Sequence, residues 1–287
     1  MALTPTDYAL AGYHLFLAIV ILARGMRTAD HVWLLFACLL VGVLLVAFRI
    51  NRRPSRFGRL VHTFYPLVLF AGMYSALGVL NAALPPGQIG GNEALVQGWE
   101  AALFGGQPSY DLIRRYPSVF LSGLLHLAYF AYYPTILLPA PCLAARGDWT
   151  GARRVIGATI TAFVLCYVVF ALFPVAGPNW VFDHPTGPVR EVWSARLVYG
   201  ILGLGSSVGT AFPSSHVAAT CATVIAAFQV RRSLGWITLV PFVLLTIAVV
   251  YCQMHYVVDA VGGLVIGGVA GAFAARTSGW AAERLSG

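Results

Sequence analysis

The chain of 287 residues is far too apolar for a soluble protein. Hydrophobic residues make up 59% of it and charged residues only 10%, whereas roughly a quarter of the residues in a typical soluble domain are charged. The formal net charge is +8, and a basic balance on so apolar a chain usually reflects membrane orientation. Composition therefore excludes a soluble globular enzyme, a disordered chain and a nucleic-acid partner, and it predicts an integral membrane protein.

Apolar runs long enough to cross a bilayer occur eight times. A spanning helix needs about 20 apolar residues, because no water is present to satisfy its backbone groups. We therefore predict an all-α protein with about eight transmembrane helices. The first run lacks a basic leader segment and a cleavage site, so we expect it to be a retained span. The predicted spans are residues 8–24, 30–49, 60–81, 118–140, 155–174, 214–230, 234–253 and 256–275.

The arginines between the predicted spans indicate the orientation of the chain. All 18 basic residues are arginines. Twelve lie in the links after the second, fourth, sixth and eighth spans, which share one side of the membrane, and six lie on the opposite side. Because cytoplasmic links are enriched in Arg and Lys, we expect both termini to be cytoplasmic, in a multi-pass protein of the cell (inner) membrane.

Two long links, residues 82–117 and 175–213, lie on the predicted outer side. Long connections in a compact membrane protein usually carry function. We predict a first part, residues 1–59, with two transmembrane helices and a basic cytoplasmic link. A second part, residues 60–287, contains six spans and both outer links, with a short amphipathic piece expected around residues 99–104.

Two clusters of ionisable residues lie at the predicted outer ends of spans. Phe-Pro-Ser-Ser-His at 212–216 opens the sixth span, and His-Tyr-Val-Val-Asp at 255–259 opens the eighth. Charge in or near a bilayer is costly, so such residues are functional candidates. Since both clusters reach the same membrane level, we expect them to share one site.

The residue types in these clusters suit phosphate chemistry. His255 and Asp259 lie four residues apart, on one helix face, where the carboxylate can orient the ring and raise the basicity of its other nitrogen. Ser214 or Ser215 can cap a helix whose free N–H groups form a phosphate site. His216, in that first turn, can give a proton to a leaving oxygen.

Two alternatives remain open for these residues. Each His can be a polar residue near the membrane interface that is hydrogen-bonded but has no catalytic role. Two His with one Asp can also bind a metal ion. The predicted helix start favours phosphate over metal, so we predict neither a metal nor a cofactor.

The two clusters resemble the second and third signature motifs of the type 2 phosphatidic acid phosphatase superfamily, and the 39 residues from His216 to His255 fit the family spacing. The resemblance implies a six-helix core formed by the last six spans. It also implies that His255 attacks phosphorus to form a phosphohistidine, that His216 protonates the leaving group and then activates the acceptor, and that Asp259 orients the nucleophile.

The departures from the family pattern concern cations. The first family motif needs a Lys, which this chain lacks, and Val249 stands where the third motif usually has an Arg. Arg binds phosphate through bidentate, charge-assisted bonds. Binding of a phosphomonoester dianion requires several such cationic side chains, while a phosphodiester monoanion requires fewer.

This pattern is similar to one branch, the inositol phosphorylceramide synthases that aureobasidin inhibits, and their bacterial relatives. Residues 100–108, Tyr129 with residues 132–134, and residues 173–180 are similar to segments of that branch. Asn179 occupies a position where many bacterial relatives have Arg. Two other readings stay open: the tyrosines can form an interfacial aromatic belt, and Glu100 and Gln107 can cap a surface helix.

We therefore expect a membrane lipid phosphotransferase. It would move a phospho-head group, of inositol-phosphate type by resemblance, from a phospholipid donor to an alcohol acceptor on the extracytoplasmic face. A phosphatase that hydrolyses a lipid phosphomonoester or diphosphate with water is the alternative, and a non-catalytic lipid or phosphate carrier is a third hypothesis. The oligomeric state is left open.

Further candidates surround the three catalytic ones. The phosphate-binding candidates are Ser214, Ser215, Asn179 and Arg190, and the substrate-pocket candidates are Tyr256, Trp180, Tyr133 and Phe212. Gly263, Gly267 and Gly271 form a small-residue stripe, which predicts close helix packing behind the nucleophile.

Overall fold

The computed structural model is built from helices, and it describes residues 4–24, 56–82 and 84–283, with side chains up to residue 274. Within these ranges, six segments are long and apolar enough to cross a membrane, so the chain is a multi-pass membrane protein. The predicted span at residues 30–49 lies outside the described residues. The six segments are Pro5–Arg24, Arg56–Ala82, Val119–Ala145, Trp149–Leu172, Arg232–Tyr251 and Val257–Ala274.

We number the described helices in chain order. They are α1 (Pro5–Arg24), α2 (Arg56–Ala82), α3 (Pro86–Phe104), α4 (Pro108–Arg115), α5 (Val119–Phe130), α6 (Tyr132–Leu137), α7 (Pro139–Ala145), α8 (Trp149–Leu172), α9 (Pro178–Val181), α10 (Pro188–Glu191), α11 (Trp193–Gly205), α12 (Ser215–Val230), α13 (Arg232–Tyr251) and α14 (Val257–Glu283).

Helix α12 matches the predicted span at 214–230 but has only 16 residues. It is shorter than the six candidate spans, and it packs against α8, α13 and α14 in the centre of the bundle. A helix of this length covers only about 24 Å. The helix can therefore begin inside the bundle, where its first residue is surrounded by neighbouring helices and not by lipid.

The predicted span at 118–140 is divided into α5, α6 and α7. Pro134 has no N–H to give to the carbonyl of Phe130, four residues earlier, and α5 ends at that residue. Pro139 likewise lacks the N–H that would continue the helix, and α7 begins at that residue. Proline interrupts the helical ladder in this way because it lacks the donor and its ring clashes with the preceding turn.

The first outer link is largely helical, although we expected only a short piece around 99–104. Helix α3 runs for 19 residues, with Pro86 in its first turn, and Gly105 in the left-handed conformation at φ 72° ends it. Glycine adopts that conformation without the steric cost of a side chain. The second link contains α9, α10 and α11, so both outer links are folded parts of the bundle.

The predicted glycine stripe is confirmed as a close contact between α14 and α12. A Cβ added at Gly263 would lie 2.6 Å from the Ser214 carbonyl oxygen, and one at Gly267 would lie 2.5 Å from the Ala218 carbonyl oxygen. At the tip of this seam the backbone N–H of Ser214 donates to the Asp259 carbonyl at 2.9 Å. The seam therefore joins the start of one motif helix to the start of the other.

Candidate active site

The rings of His216 and His255 meet where α12 and α14 begin. His255 Nε2 lies 3.3 Å from His216 Nδ1, and the ring centroids are 5.4 Å apart. His216 is the second residue of α12, and His255 lies in the turn between α13 and α14. Two residues 39 apart in the chain thus share one position in the bundle.

The turn that carries His255 depends on a strained backbone. The N–H groups of Met254 and His255 both donate to the Val249 carbonyl, at 3.0 and 2.8 Å. Gln253 has a positive φ of 60°, which is uncommon for a residue with a side chain. Its side chain holds this conformation, since it accepts from Arg114 at 2.7 Å and donates to the Asp183 carbonyl at 3.0 Å.

Asp259 links His255 to the start of α14. Its Oδ2 lies 3.4 Å from His255 Nδ1 and accepts from the Tyr256 N–H at 2.8 Å. The carboxyl group is fully buried. This geometry positions the imidazole and leaves its Nε2 directed at His216, which is the arrangement expected of an oriented nucleophile.

Burial keeps His255 neutral. It lowers the pKa of His255 to about 4, and a hydrogen bond with the Ala211 backbone opposes that shift. A neutral ring that donates through Nδ1 to Asp259 has a lone pair at Nε2. His216 Nδ1 then supplies the proton between the two rings, and its Nε2 accepts from a further donor.

Tyr129 is that donor. Its hydroxyl lies 3.1 Å from His216 Nε2, and the ring of Tyr132 packs on the same imidazole with centroids 4.5 Å apart. Both tyrosines are buried, so the aromatic-belt reading is wrong for them. Tyr133, a pocket candidate, is half-buried and packs against Tyr132. The chain Tyr129, His216, His255, Asp259 therefore forms one continuous hydrogen-bonded relay.

Ser214 is the N-cap of α12, since its hydroxyl accepts from the Val217 N–H at 3.4 Å. The Ser214 side chain is fully buried and Ser215 is nearly so. In the part of the chain that the structure describes, the N–H groups of Ser215 and His216 have no acceptor. The first turn of α12 thus keeps free donors beside the histidine pair, as the sequence predicted for a phosphate site.

The first turn of α14 is occupied by protein carboxylates. Glu100 is fully buried and accepts from the N–H groups of Val257 and Val258 at 3.0 and 3.1 Å. Burial raises the pKa of Glu100, and these two hydrogen bonds oppose that shift. Glu100 therefore caps α14, the helix that follows His255, and not a surface helix, whereas Gln107 donates to the Gln97 carbonyl at 3.0 Å.

Glu93, which sequence reasoning missed, joins three segments beneath the histidines. Its side chain accepts from the Gly177 N–H at 2.9 Å and from the hydroxyl of Tyr256. Tyr256 is fully buried, and its hydroxyl also accepts from Gln97 at 3.1 Å. Glu93 thereby links Gly177, which precedes α9, to Tyr256, which follows His255.

Asn179 lies close to the segments that precede both motifs. It follows Gly177, where an added Cβ would lie 2.6 Å from Ala211 Cβ and 3.9 Å from the Met254 carbonyl. The Oδ1 of Asn179 is buried without a partner. Trp180, beside it, is 49% exposed. Phe212 packs with Trp99 and Phe173 in a separate ring cluster.

Arg190 does not contact either histidine of the pair. Its guanidinium lies 3.3 Å from the centroid of the Tyr199 ring. Val249, in the position of the family's usual Arg, is buried in the apolar core. Among the described residues, no group of three or more His, Cys, Asp or Glu side chains is arranged to hold a metal ion.

Comparison with known proteins places these elements in one family. The sequence profile of a family described as the PAP2 superfamily matches residues 100–273, a range that includes both histidines, Asp259, Glu100 and Tyr129. No curated protein and no solved structure matches the chain. The match concerns the superfamily and does not distinguish the inositol phosphorylceramide synthase branch.

Proposed function

We propose, from the premise that this chain belongs to the PAP2 superfamily of membrane phosphatases and phosphotransferases, that it transfers a phospho-head group from a phospholipid to an alcohol. Family membership itself implies lipid phosphatase or phosphotransferase activity. The observation that carries the phosphohistidine mechanism is the 3.3 Å approach of His255 Nε2 to His216 Nδ1. The distribution of cations around this pair favours transfer of a head group over hydrolysis.

In the first half-reaction the donor phosphate rests on the free N–H groups of Ser215 and His216. Asn179 adds its side-chain amide. His255 Nε2 attacks phosphorus, so that an N–P bond forms and the P–O bond to the leaving alcohol breaks. Binding of the anionic phosphate breaks the hydrogen bond between the two rings, and His216 takes up a second proton. Its Nδ1 proton then goes to the departing oxygen, its Nε2 proton stays directed at the Tyr129 oxygen so that the ring ends neutral, and Asp259 stabilises the positive charge that develops on His255.

The second half-reaction reverses these steps with a new alcohol. His216 Nδ1, now without its proton, accepts one from the acceptor hydroxyl as that oxygen attacks phosphorus. The N–P bond breaks and His255 returns to its neutral form. Both steps depend on groups that already lie in position, which is where most of the rate enhancement of such sites originates.

The distribution of cations favours a phosphodiester donor. Arg190 lies over Tyr199 and Arg114 is bound to Gln253, so neither clamps a phosphate at the histidine pair directly. A phosphomonoester dianion lacks its usual partners here, while a monoanionic diester needs fewer. We propose that Trp180, Tyr133, Phe212 and Tyr256 shape the pocket around the lipid, and that Arg190 serves the head group.

The proposal is tested with purified protein given two substrates in separate assays. One is a phosphodiester lipid with an alcohol acceptor, and the other is a lipid phosphomonoester. We expect a transfer product from the first and an acid-labile phosphorylated protein during turnover. His255→Ala should abolish both while lipid binding remains, whereas His14→Ala, on α1 and bonded to its own helix, should change neither.

Two results would contradict the proposal in different ways. Fast release of inorganic phosphate from the monoester without transfer product would show a phosphatase. Lipid transport that persists in His255→Ala, with no phosphorylated intermediate in the wild type, would show a carrier.

A further inference from the structure

A second polar cluster lies next to the histidine pair, built around the ring of Tyr199. We call it the Tyr199 cluster, and it consists of His126, His184, Arg190 and Tyr199. The ring centroid of Tyr199 lies 5.7 Å from that of His126 and 5.5 Å from that of His184. With Arg190 stacked on it at 3.3 Å, the cluster extends from exposed His184 to fully buried His126.

Three polar atoms of the Tyr199 cluster are buried without a hydrogen bond of normal geometry, although the Arg190 side chain lies close enough to interact with the Tyr199 hydroxyl. They are His126 Nε2, Arg190 Nη1 and the Tyr199 hydroxyl. No ion pair involves Arg190 among the residues that the structure describes. Polar groups inside a membrane protein are costly unless something satisfies them, and three such groups in one cluster are better explained by a ligand than by packing.

We infer that His126, Arg190 and Tyr199 form a subsite for the hydroxyl groups of a polyol-type head group. This inference builds on the proposed function, because the head group it accommodates is the one attached to the transferred phosphate. The subsite itself rests on the unpartnered atoms and not on the phosphohistidine.

The tautomer of His126 decides which ligand fits. Its Nδ1 lies 2.8 Å from the Ser122 carbonyl, which can only accept, so Nδ1 carries the proton. Nε2 then offers a lone pair and requires a donor. The hydroxyl of Ser122 donates to the Val189 carbonyl at 2.6 Å, and this bond ties His126 to the residue beside Arg190.

Among hydroxyl, phosphate and ammonium groups, the common polar groups of a lipid head group, only a hydroxyl satisfies all three atoms. It donates to His126 Nε2, while its oxygen accepts from Arg190 or pairs with the Tyr199 hydroxyl. An ionised phosphate has acceptors alone and leaves His126 Nε2 unmatched. An ammonium head group can donate to His126 but is repelled by the Arg190 cation, and a quaternary ammonium offers no hydrogen bond.

The position of the subsite suits a head group whose phosphate is at the histidine pair. His126 and Tyr129 lie three residues apart on α5, so their side chains are neighbours at roughly 5–6 Å between Cβ atoms. Tyr129 in turn contacts His216, and Tyr199 lies close enough to Tyr129 to act on it electrostatically. The Tyr199 cluster therefore begins one helical turn from Tyr129, whose hydroxyl contacts His216.

Thermal unfolding of the full-length His255→Ala protein in detergent, with soluble probes, tests the subsite without catalysis. The probes are two phosphodiester monoanions: glycerophosphoglycerol, which carries hydroxyls, and diethyl phosphate, which carries none. We expect glycerophosphoglycerol to bind about tenfold more tightly, since one or two additional hydrogen bonds provide that much. Tyr199→Phe removes a single oxygen and should abolish most of the preference, and His126→Gln should weaken it too.

Tyr13→Phe is the matched control, because that hydroxyl on α1 is also buried without a partner but lies outside the Tyr199 cluster. It should keep the preference. Equal binding of both probes, no binding of either, or a preference that survives Tyr199→Phe would each overturn the subsite. A preference that is lost in Tyr199→Phe, in a protein that forms no phosphohistidine, would leave the subsite standing and contradict the proposed function alone.

Discussion

At the scale of single residues, the site depends on keeping its imidazoles neutral and fixing where their protons lie. His255 is only 4% exposed, and its Nδ1 faces the one carboxylate that can hold its proton there. Tyr129 performs the corresponding task for His216 from the opposite side. The four side chains of the relay are thus joined in the order Tyr129, His216, His255 and Asp259, and His255 makes a further hydrogen bond with the Ala211 backbone.

Tyr129→Phe should slow phosphoryl transfer by roughly tenfold with little change in KM, because removal of one oriented hydrogen bond leaves the His216 tautomer unfixed. The pH–rate profile should shift as well, which a purely structural role would not cause. Steady-state kinetics across pH 5–9 measure both effects. Tyr132→Phe is the control, since its ring contacts His216 while the hydrogen bond comes from Tyr129; an equal loss in both variants would argue against the relay.

The buried His255 should also make stability depend on pH in a defined direction. An unfolded His binds a proton near pH 6.5, whereas folded His255 does so only near pH 4, so the unfolded state takes up more protons between these values. The unfolding free energy of the wild type should fall, relative to His255→Gln, as the pH drops from 6.5 to 4. Thermal midpoints in detergent measure this difference, and a wild type that gains stability on acidification would show that His255 is held in its charged form.

At the scale of helices, the contact between α12 and α14 sets the distance between the two imidazoles. The stripe Gly263, Gly267 and Gly271 lets the backbones approach closely, because small residues remove the side chains that would separate the helices. Glu100 and Asp259 then cap the first turn of α14. Helix packing and capping together position the nucleophile.

Gly267→Ala should lower the thermal midpoint and reduce phosphoenzyme formation, since the new Cβ would lie 2.5 Å from the Ala218 carbonyl oxygen. A shift of the two helices costs on the order of 1–3 kcal/mol. Gly268→Ala, the next residue on the same helix, has nothing within 4 Å of its Cβ and should behave like the wild type. The same loss in both variants would mean that helix propensity and not the seam is responsible.

At the scale of the whole molecule, α12 runs from one end of the helical bundle towards the other. His216 lies at its start and the Arg231–Arg232 link follows its end. The positive-inside rule assigns that arginine link to the cytoplasm. On that assignment we expect the histidine pair to face the outer leaflet, from which a lipid donor can enter.

Cysteine labelling in intact cells tests this orientation. With Cys38 and Cys142 replaced by Ser, a cysteine at exposed Trp180 should react with an impermeant maleimide from outside. A cysteine at exposed Ser233, beside the arginine link, should react only after permeabilisation. The opposite pattern would mean that the active site faces the cytoplasm.

The sequence alone determined the membrane class, and it singled out the three residues, His216, His255 and Asp259, that the structure brings together. Hydropathy reports spans because the bilayer demands continuous apolar helices, and the candidate spans at α1, α2, α8, α13 and α14 follow the predicted ones closely. The two motifs are local in the chain, so the helix start at Ser214 and the pairing of His255 with Asp259 were readable from spacing.

Only the tertiary structure decided what surrounds those residues. Tyr129 reaches His216 across 87 residues, and Glu100 caps α14 across 157. The unpartnered groups around Tyr199 also come from separate helices. The hydrophobic pattern of a sequence indicates that a helix is buried but not which helix it contacts. Contacts between residues this far apart in the chain therefore depend on how the helices pack, and that packing brings the two short motifs together in one site.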